Sequence, residues 1–191
     1  RHSDEEGDSH SPGRRGFWWS HVGWFLTQSG TPTREHLVRD WMRYPELRFL
    51  DRHFLLGPAL LAAGLVGLGS WLHVAFPQLG TSAAQVFVWG FLVSTVALYH
   101  ATYTINSLSH QFGSRRFDTG DESRNNWFLA LLTLGEGWHN NHHHYPGSAR
   151  QGFYWWEIDL AYYGLKALAA VRVISHLKPV PERILQRKRL S

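Results

Sequence analysis

The sequence predicts an all-α, integral membrane chain built on one transmembrane helical hairpin, with interfacial helices on its flanks. Three observations carry that prediction. Residues 54–76 and 83–105 contain no Asp, Glu, Lys or Arg, and at about 1.5 Å per residue either stretch crosses the roughly 30 Å hydrocarbon core of a bilayer. The 191 residues include 10 Trp, 11 Phe and 7 Tyr, rings suited to the bilayer interface, where an apolar body meets a polar edge. Arginines crowd both outer flanks of the two spans and are missing from the turn between them.

The elements follow in order. Residues 1–15 are polar, with an acidic run (Asp4, Glu5, Glu6, Asp8) and two histidines, His2 and His10, and read as a loop. Residues 17–26 (FWWSHVGWFL) are apolar but too short to span, which places them at the interface. Thr33 is positioned to cap a short helix running to Arg43, just before Pro45. Arg34, Arg39, Arg43, Arg48 and Arg52 make this stretch basic.

In the first span, Gly57, Ala59, Ala62, Ala63, Gly64, Gly67 and Gly69 allow close helix–helix approach in lipid. Residues 77–82 form a neutral turn. Positive residues stay inside, so both flanks are expected in the cytoplasm and the turn outside. Downstream, residues 127–134 are a short apolar segment. Residues 152–174 are aromatic and amphipathic, interrupted by Glu157, Asp159, Lys166 and Arg172, and read as an interfacial helix, with a shorter re-entrant packing role as the alternative, before a basic tail with two prolines.

Composition narrows the chemistry. The net charge of +4 would admit nucleic acid or an anionic membrane surface, but two uncharged spans argue against a soluble nucleic-acid binder. There is no Cys, hence no disulfide framework and no thiolate metal site. A transition metal here must be held by His, carboxylate or amide groups. The 13 His are clustered. In Gly135-Glu136-Gly137-Trp138-His139-Asn140-Asn141-His142-His143-His144, His139, His142 and His143 stand at i, i+3 and i+4, so a helix would present three imidazoles on one face. Imidazole suits iron, zinc, copper and nickel. Alone, such a tract also fits a surface that takes up adventitious metal. Asn106 and His110, four apart at the end of the second span, strengthen the metal reading, because polar groups at membrane depth are expensive and tend to be functional. Glu136, Asp118 and Asp121 are candidate partners for the outward ring nitrogens.

Asn106-Ser107-x-x-His110-x-x-Gly113-x-Arg115, followed by Gly135-Glu136-Gly137-x-His139-Asn140-x-His142-His143, resembles the membrane fatty-acyl desaturases of the stearoyl-CoA type. Arg14-Arg15-Gly16-Phe17 and Ser20-His21-Val22-Gly23-Trp24 are similar too, and the tail from Gly152 to Leu185 is similar to the bacterial branch. The resemblance implies four transmembrane helices and three histidine boxes under a cytoplasmic cap that holds two irons. Residues 1–191 then correspond to a partial desaturase domain, about half of the four-helix fold, with residues 106–191 as cap and third box. The iron ligands it implies are His110, His139, His142 and His143, with Asn106 acting through a water. His144 has no implied role, and His2 and His10 fall just after the second box, outside the ligand set. With two boxes lying upstream, this piece alone is expected to be inactive.

The implied reaction is oxygen-dependent insertion of a cis double bond, at Δ9, into a long saturated acyl chain. O2 would be co-substrate and a ferredoxin- or cytochrome-type donor with its reductase would supply electrons. The implied location is a bacterial inner membrane with the active site on the cytoplasmic side. Two features depart from the pattern: Trp24 is not followed by a basic pair, and Arg116 stands where the family usually has Pro. The acyl carrier is therefore open among CoA, a carrier protein and phospholipid, with Arg34, Arg39 and Arg43 as candidate headgroup contacts. A lipid hydroxylase or ketolase on the same metal centre, and a non-enzymatic metal-buffering membrane segment, are the alternative readings.

Overall fold

The computed structural model describes residues 4, 11–26, 33, 35–187 and 189–190, without the Arg14 side chain. His2, His10 and Arg34 lie outside the described residues. The helices among them are α1 (Pro12–Arg15), α2 (Pro45–Arg52), α3 (Leu56–Ala75), α4 (Ala83–Phe87), α5 (Ser94–Ser107), α6 (Trp127–Leu132), α7 (His139–His144), α8 (Leu160–Ala170) and α9 (Glu182–Gln186). No strand occurs among the described residues; the only extended pairings found there are isolated bridges. The chain divides into two units, residues 29–99 and residues 1–28 with 100–191.

In the first of these units the hairpin dominates. Among the described residues, two helices are long and apolar enough to cross a membrane, Leu56–Ala75 with 20 residues and Ala83–His110 with 28. The second joins α4 to α5 through a π-helical stretch, Val88–Val93, and ends in a 3₁₀ turn, Leu108–His110. It therefore continues past residue 105, the expected end of the span, and carries Asn106 and His110 on the same helix. Nearly all apolar side chains of α3 face outward, Val74 being 80% exposed, which suits lipid and not water. The two helices meet through glycine. A Cβ on Gly69 would lie 2.6 Å from Ala83 Cα, so only a residue without one lets the backbones approach this closely. Gly80, at φ 60°, closes the turn, and the Ser82 hydroxyl caps α4 by accepting from the Gln85 amide at 3.1 Å.

Before the hairpin, the helix expected between Thr33 and Arg43 is replaced by two 3₁₀ turns, Glu35–Leu37 and Trp41–Arg43. Pro45 opens α2 at its first position instead of ending a helix, since its fixed φ and missing N–H cost nothing there. The Thr33 hydroxyl donates to Asp51 at 2.6 Å and caps no helix.

The other unit has a core that is largely polar. Phe117, Leu129, Ala130, Ile105, Tyr103 and Phe153 are buried, together with Ser20, Ser107, Ser123, Asn125, Asn140, Asn141, Glu157 and Asp159. Such a core is stable only when its polar atoms are paired. The interfacial helix expected over 152–174 shrinks to α8. Glu157 and Asp159 are buried acceptors, and Gly152 sits too close to the Glu157 backbone for any side chain, so residues 151–158 fold into a tight loop. Asp159 then caps α8 through the Tyr162 amide at 2.9 Å. The tail returns across this unit: the Leu190 amide donates to the Arg116 carbonyl at 2.7 Å, and the Ala149 amide to the Lys178 carbonyl at 3.0 Å.

Candidate metal centre

The site is made by two chain segments, the end of the second long helix and α7. The local sequence explains why α7 forms where it does. Gly137 packs against the backbone of Ala130 and Asn126, and Gly135, at φ 132°, leaves no room for a Cβ beside the Asp159 carboxylate. The two glycines thus let the chain turn tightly against α6 and enter α7 with His139 facing inward.

His110, His139 and His143 converge, with one ring nitrogen of each within 4.8 Å of the others. His110 Nε2 and His139 Nε2 are 3.1 Å apart. The outward nitrogens of His110 and His143 have carboxylate partners. His110 Nδ1 lies 2.8 Å from Asp4 Oδ2, and His143 Nδ1 lies 2.6 Å from Asp121 Oδ2. A carboxylate accepts, so each Nδ1 carries the proton and each Nε2 keeps a lone pair, the tautomer a metal ligand needs.

Both acids are themselves held. Asp4 accepts from the Glu122 amide at 3.0 Å. Asp121 accepts from the Thr119 hydroxyl at 2.8 Å and the Ser123 amide at 3.0 Å. Burial works to raise the Asp4 and Asp121 carboxyls, but bonds from His110 and His143 and from these other donors outweigh it and hold both well below the usual carboxylate range. Burial, followed by repulsion from His143, His110 and His142, pushes His139 well below the ordinary imidazole value. His142 moves down for the same reasons, burial first and His143 next, against an upward pull from Glu136. Both shifts favour the neutral imidazole at His139 and His142, the form that binds metal. Donors of nitrogen only, in this spacing, fit iron among other borderline metals.

His142 is outside the tight trio; its ring lies 6.0 Å from that of His139 and 5.8 Å from that of His143. His144 turns away. It stacks on buried Phe117 at 3.9 Å and reaches the Ile184 carbonyl at 2.8 Å, binding the tail to α7. Asn106 stands one turn before His110, and its carbonyl accepts from the buried Ser20 hydroxyl at 3.0 Å.

Of the three acids the sequence suggested as carboxylate partners, only Asp121 lies against a ligand-cluster histidine. Asp118 and Glu136 are exposed; Asp121 and Asp4 take the role. Asp4 comes from a loop 106 residues away from His110, a pairing that no spacing rule could reveal. Arg39 and Arg43 are exposed and belong to the unit of residues 29–99.

A second histidine pair lies beside Asn106. His21 Nδ1 is 3.1 Å from the Ser107 hydroxyl, which itself donates to the Tyr103 carbonyl at 2.8 Å. Ser107 must then accept from His21 Nδ1–H, so neutral His21 presents a bare Nε2 to His100 Nδ1–H at 3.0 Å. This chain of bonds fixes the short π-helical turn Trp19–Gly23 against the helix end that carries Asn106.

The sequence profile described as fatty acid desaturase matches residues 1–177. The chain is 37% identical over 178 residues to the sn-1 stearoyl-lipid 9-desaturase of Anabaena variabilis, covering 93% of this chain and 60% of that protein. It is 38% identical over 187 residues to the chloroplastic palmitoyl-monogalactosyldiacylglycerol delta-7 desaturase of Arabidopsis thaliana, covering 96% and 47%. It is 38% identical over 191 residues to the acyl-CoA C20 Delta5-desaturase of Anemone leveillei, covering 98% and 56%. The chain spans about half the length of the curated relatives it matches.

Proposed function

The chain belongs to the fatty acid desaturase family, and from that premise we propose that the full-length protein desaturates a long saturated acyl chain at a histidine-held di-iron centre. The convergence of His110, His139 and His143, with carboxylates setting the tautomer of two of them, is the observation that carries this reading. His110, His139 and His143 would hold one iron. His142, with Asn106 acting through a water, would serve the second, alongside ligands from the upstream part of the protein. The irons supply an oxidant made from O2 that is strong enough to take hydrogen from an unactivated methylene, which side-chain acid–base chemistry cannot do.

The residues of this chain supply position and environment. Asp4 and Asp121 accept the Nδ1 protons of His110 and His143 and so aim Nε2 of each neutral ring at the centre. The buried polar core behind α7 fixes the histidine face. The acyl chain would be bound against the apolar hairpin, which requires a membrane location. The relatives act, by their names, at positions 9, 7 and 5 and on lipid-linked or CoA-linked chains. We assign Δ9 and a lipid-linked chain here, on the likeness to the stearoyl-lipid desaturases and on the missing basic pair after Trp24. Electrons would come from a ferredoxin- or cytochrome-type donor and its reductase, at the cytoplasmic face of a bacterial inner membrane.

The test is a fatty-acid profile by gas chromatography and mass spectrometry of a desaturase-deficient host expressing the full-length gene. A new monounsaturated chain that disappears with His139→Ala supports the reading and locates the bond. An unchanged profile with well-expressed protein, or a hydroxylated product, contradicts it.

A further inference from the structure

We propose that Glu157 and Arg116 are positioning residues that set the rotation of α7 and thereby the grip of its histidines on metal, an inference that rests on the metal reading above. α7 has six residues, too few to hold a helical conformation or an orientation by itself. Its three facing histidines occupy i, i+3 and i+4, and the intervening Asn140 and Asn141 are both completely buried on the opposite side. What those two amides touch therefore decides where the histidines point.

Asn141 is fully saturated. Its Nδ2 donates to the Gln151 carbonyl at 2.9 Å and to Glu157 Oε2 at 2.8 Å. Its Oδ1 accepts from Asn125 Nδ2 at 2.8 Å, and its own amide donates to Asn125 Oδ1 at 3.1 Å. Asn140 is held by the neighbouring strand of chain: its Oδ1 accepts from the Arg116 and Phe117 amides at 2.9 and 2.8 Å, and its Nδ2 donates to the Phe117 carbonyl at 3.0 Å.

Arg116 and Glu157 join the two sides. The Arg116 guanidinium donates to Glu157 Oε1, approaches Asn141 Oδ1 at 3.5 Å, and lies over the Tyr154 ring at 4.6 Å. Glu157 also accepts from the Tyr154 amide at 3.1 Å. Glu157 is completely buried, and every group facing it is a donor. Only a carboxylate satisfies that environment. A glutamine there must turn its NH₂ toward either Arg116 or the Asn141 and Tyr154 donors. The mismatch falls on the residue between His139 and His142, with no ligand atom touched.

The experiment uses full-length protein purified in lipid nanodiscs and loaded with ⁵⁷Fe. Wild type is compared with Glu157→Gln and with the double variant Arg116→Met/Glu157→Gln, which removes the unpaired, partly buried cation that could unfold the single variant. The readouts are iron release to a ferrous chelator, the Mössbauer quadrupole splitting, and thermal unfolding of the metal-free protein. We expect iron release to speed up by roughly tenfold or more, in line with the loss seen when the partners of metal ligands are removed. The quadrupole splitting, which reports ligand geometry and not global stability, should shift in both variants. Unchanged release and splitting in folded, iron-loaded variants would overturn the positioning role while leaving the metal reading intact. Faster release with unchanged splitting, in step with a fall in metal-free stability, would also overturn it, leaving the pair as a fold stabiliser. Wild-type protein that takes up no iron would overturn both.

Discussion

At the scale of residues, the site separates side chains that would touch metal from those that decide which nitrogen does so. Asp121 accepts the Nδ1 proton of His143, so Asp121→Asn leaves the volume but removes the charge and allows the other tautomer. Iron affinity should fall by roughly 10- to 100-fold, read as iron per protein after equilibration with a graded chelator; affinity equal to wild type would remove Asp121 from the site.

The His21–His100 chain makes a prediction about acid. Burial, and then His100, lower the His21 value, so between the folded value and the ordinary one near 6.5 the unfolded chain binds a proton that the folded chain does not. The contribution of His21 to stability is therefore complete above about pH 6.5 and declines as pH falls below it. His21→Gln should flatten the acid limb of thermal stability below about pH 6.5 relative to wild type; an unchanged limb would remove His21 from the acid response.

The residue scale also shows what the sequence could reveal. His139 and His143 were legible as neighbours because their spacing is local, while His110, 29 residues before His139, was singled out by its place at the end of the second span. The acceptor on His143 was legible too, since Asp121 was among the three acids considered for the outward ring nitrogens. Asp4 and Glu157 were not legible. One acts at a separation of 106 residues, and the other was read as a charge interrupting an interfacial helix, because a buried carboxylate is recognised only once its donors are assembled around it.

At the scale of elements, periodicity identified the long helices and failed on short ones. Residues 56–75 and 83–110 are helical because uncharged spans must satisfy their backbones internally. Pro45 was read as a terminator and is an initiator, a choice that depends on which side the following residues pack. Residues 152–174 carried an amphipathic pattern, yet Gly152, Glu157 and Asp159 spend their length on a loop that braces α7.

The same reasoning makes Gly137 critical. A methyl there meets the backbone of Ala130 and Asn126, which cannot yield as a flexible side chain would. Gly137→Ala should destabilise this unit by about 1–3 kcal/mol and lower iron retention with it, measured by thermal unfolding and metal content. An unchanged melting temperature would show that the turn from α6 into α7 has slack.

At the scale of the whole molecule, two helices are long and apolar enough to cross a membrane, and the orientation proposed for them from arginine placement puts both outer flanks in the cytoplasm. These 191 residues contain no Cys, so a thiol introduced among them has no competitor within this stretch. Gln78→Cys, in the hairpin turn, should react with a membrane-impermeant maleimide in intact cells, whereas partly exposed Ser148→Cys should react only after lysis. The reverse pattern would put the histidine cluster on the outer face and exclude a cytoplasmic electron donor.

The claim on which the rest depends is that His110, His139 and His143 share one iron. Anomalous diffraction at the iron edge, from crystals of the full-length protein, measures this directly. The account predicts a peak bonded to the Nε2 atoms of all three residues, with a second iron nearby on the side of His142. A strong iron peak elsewhere, with the three imidazoles bonded only to one another, would contradict it.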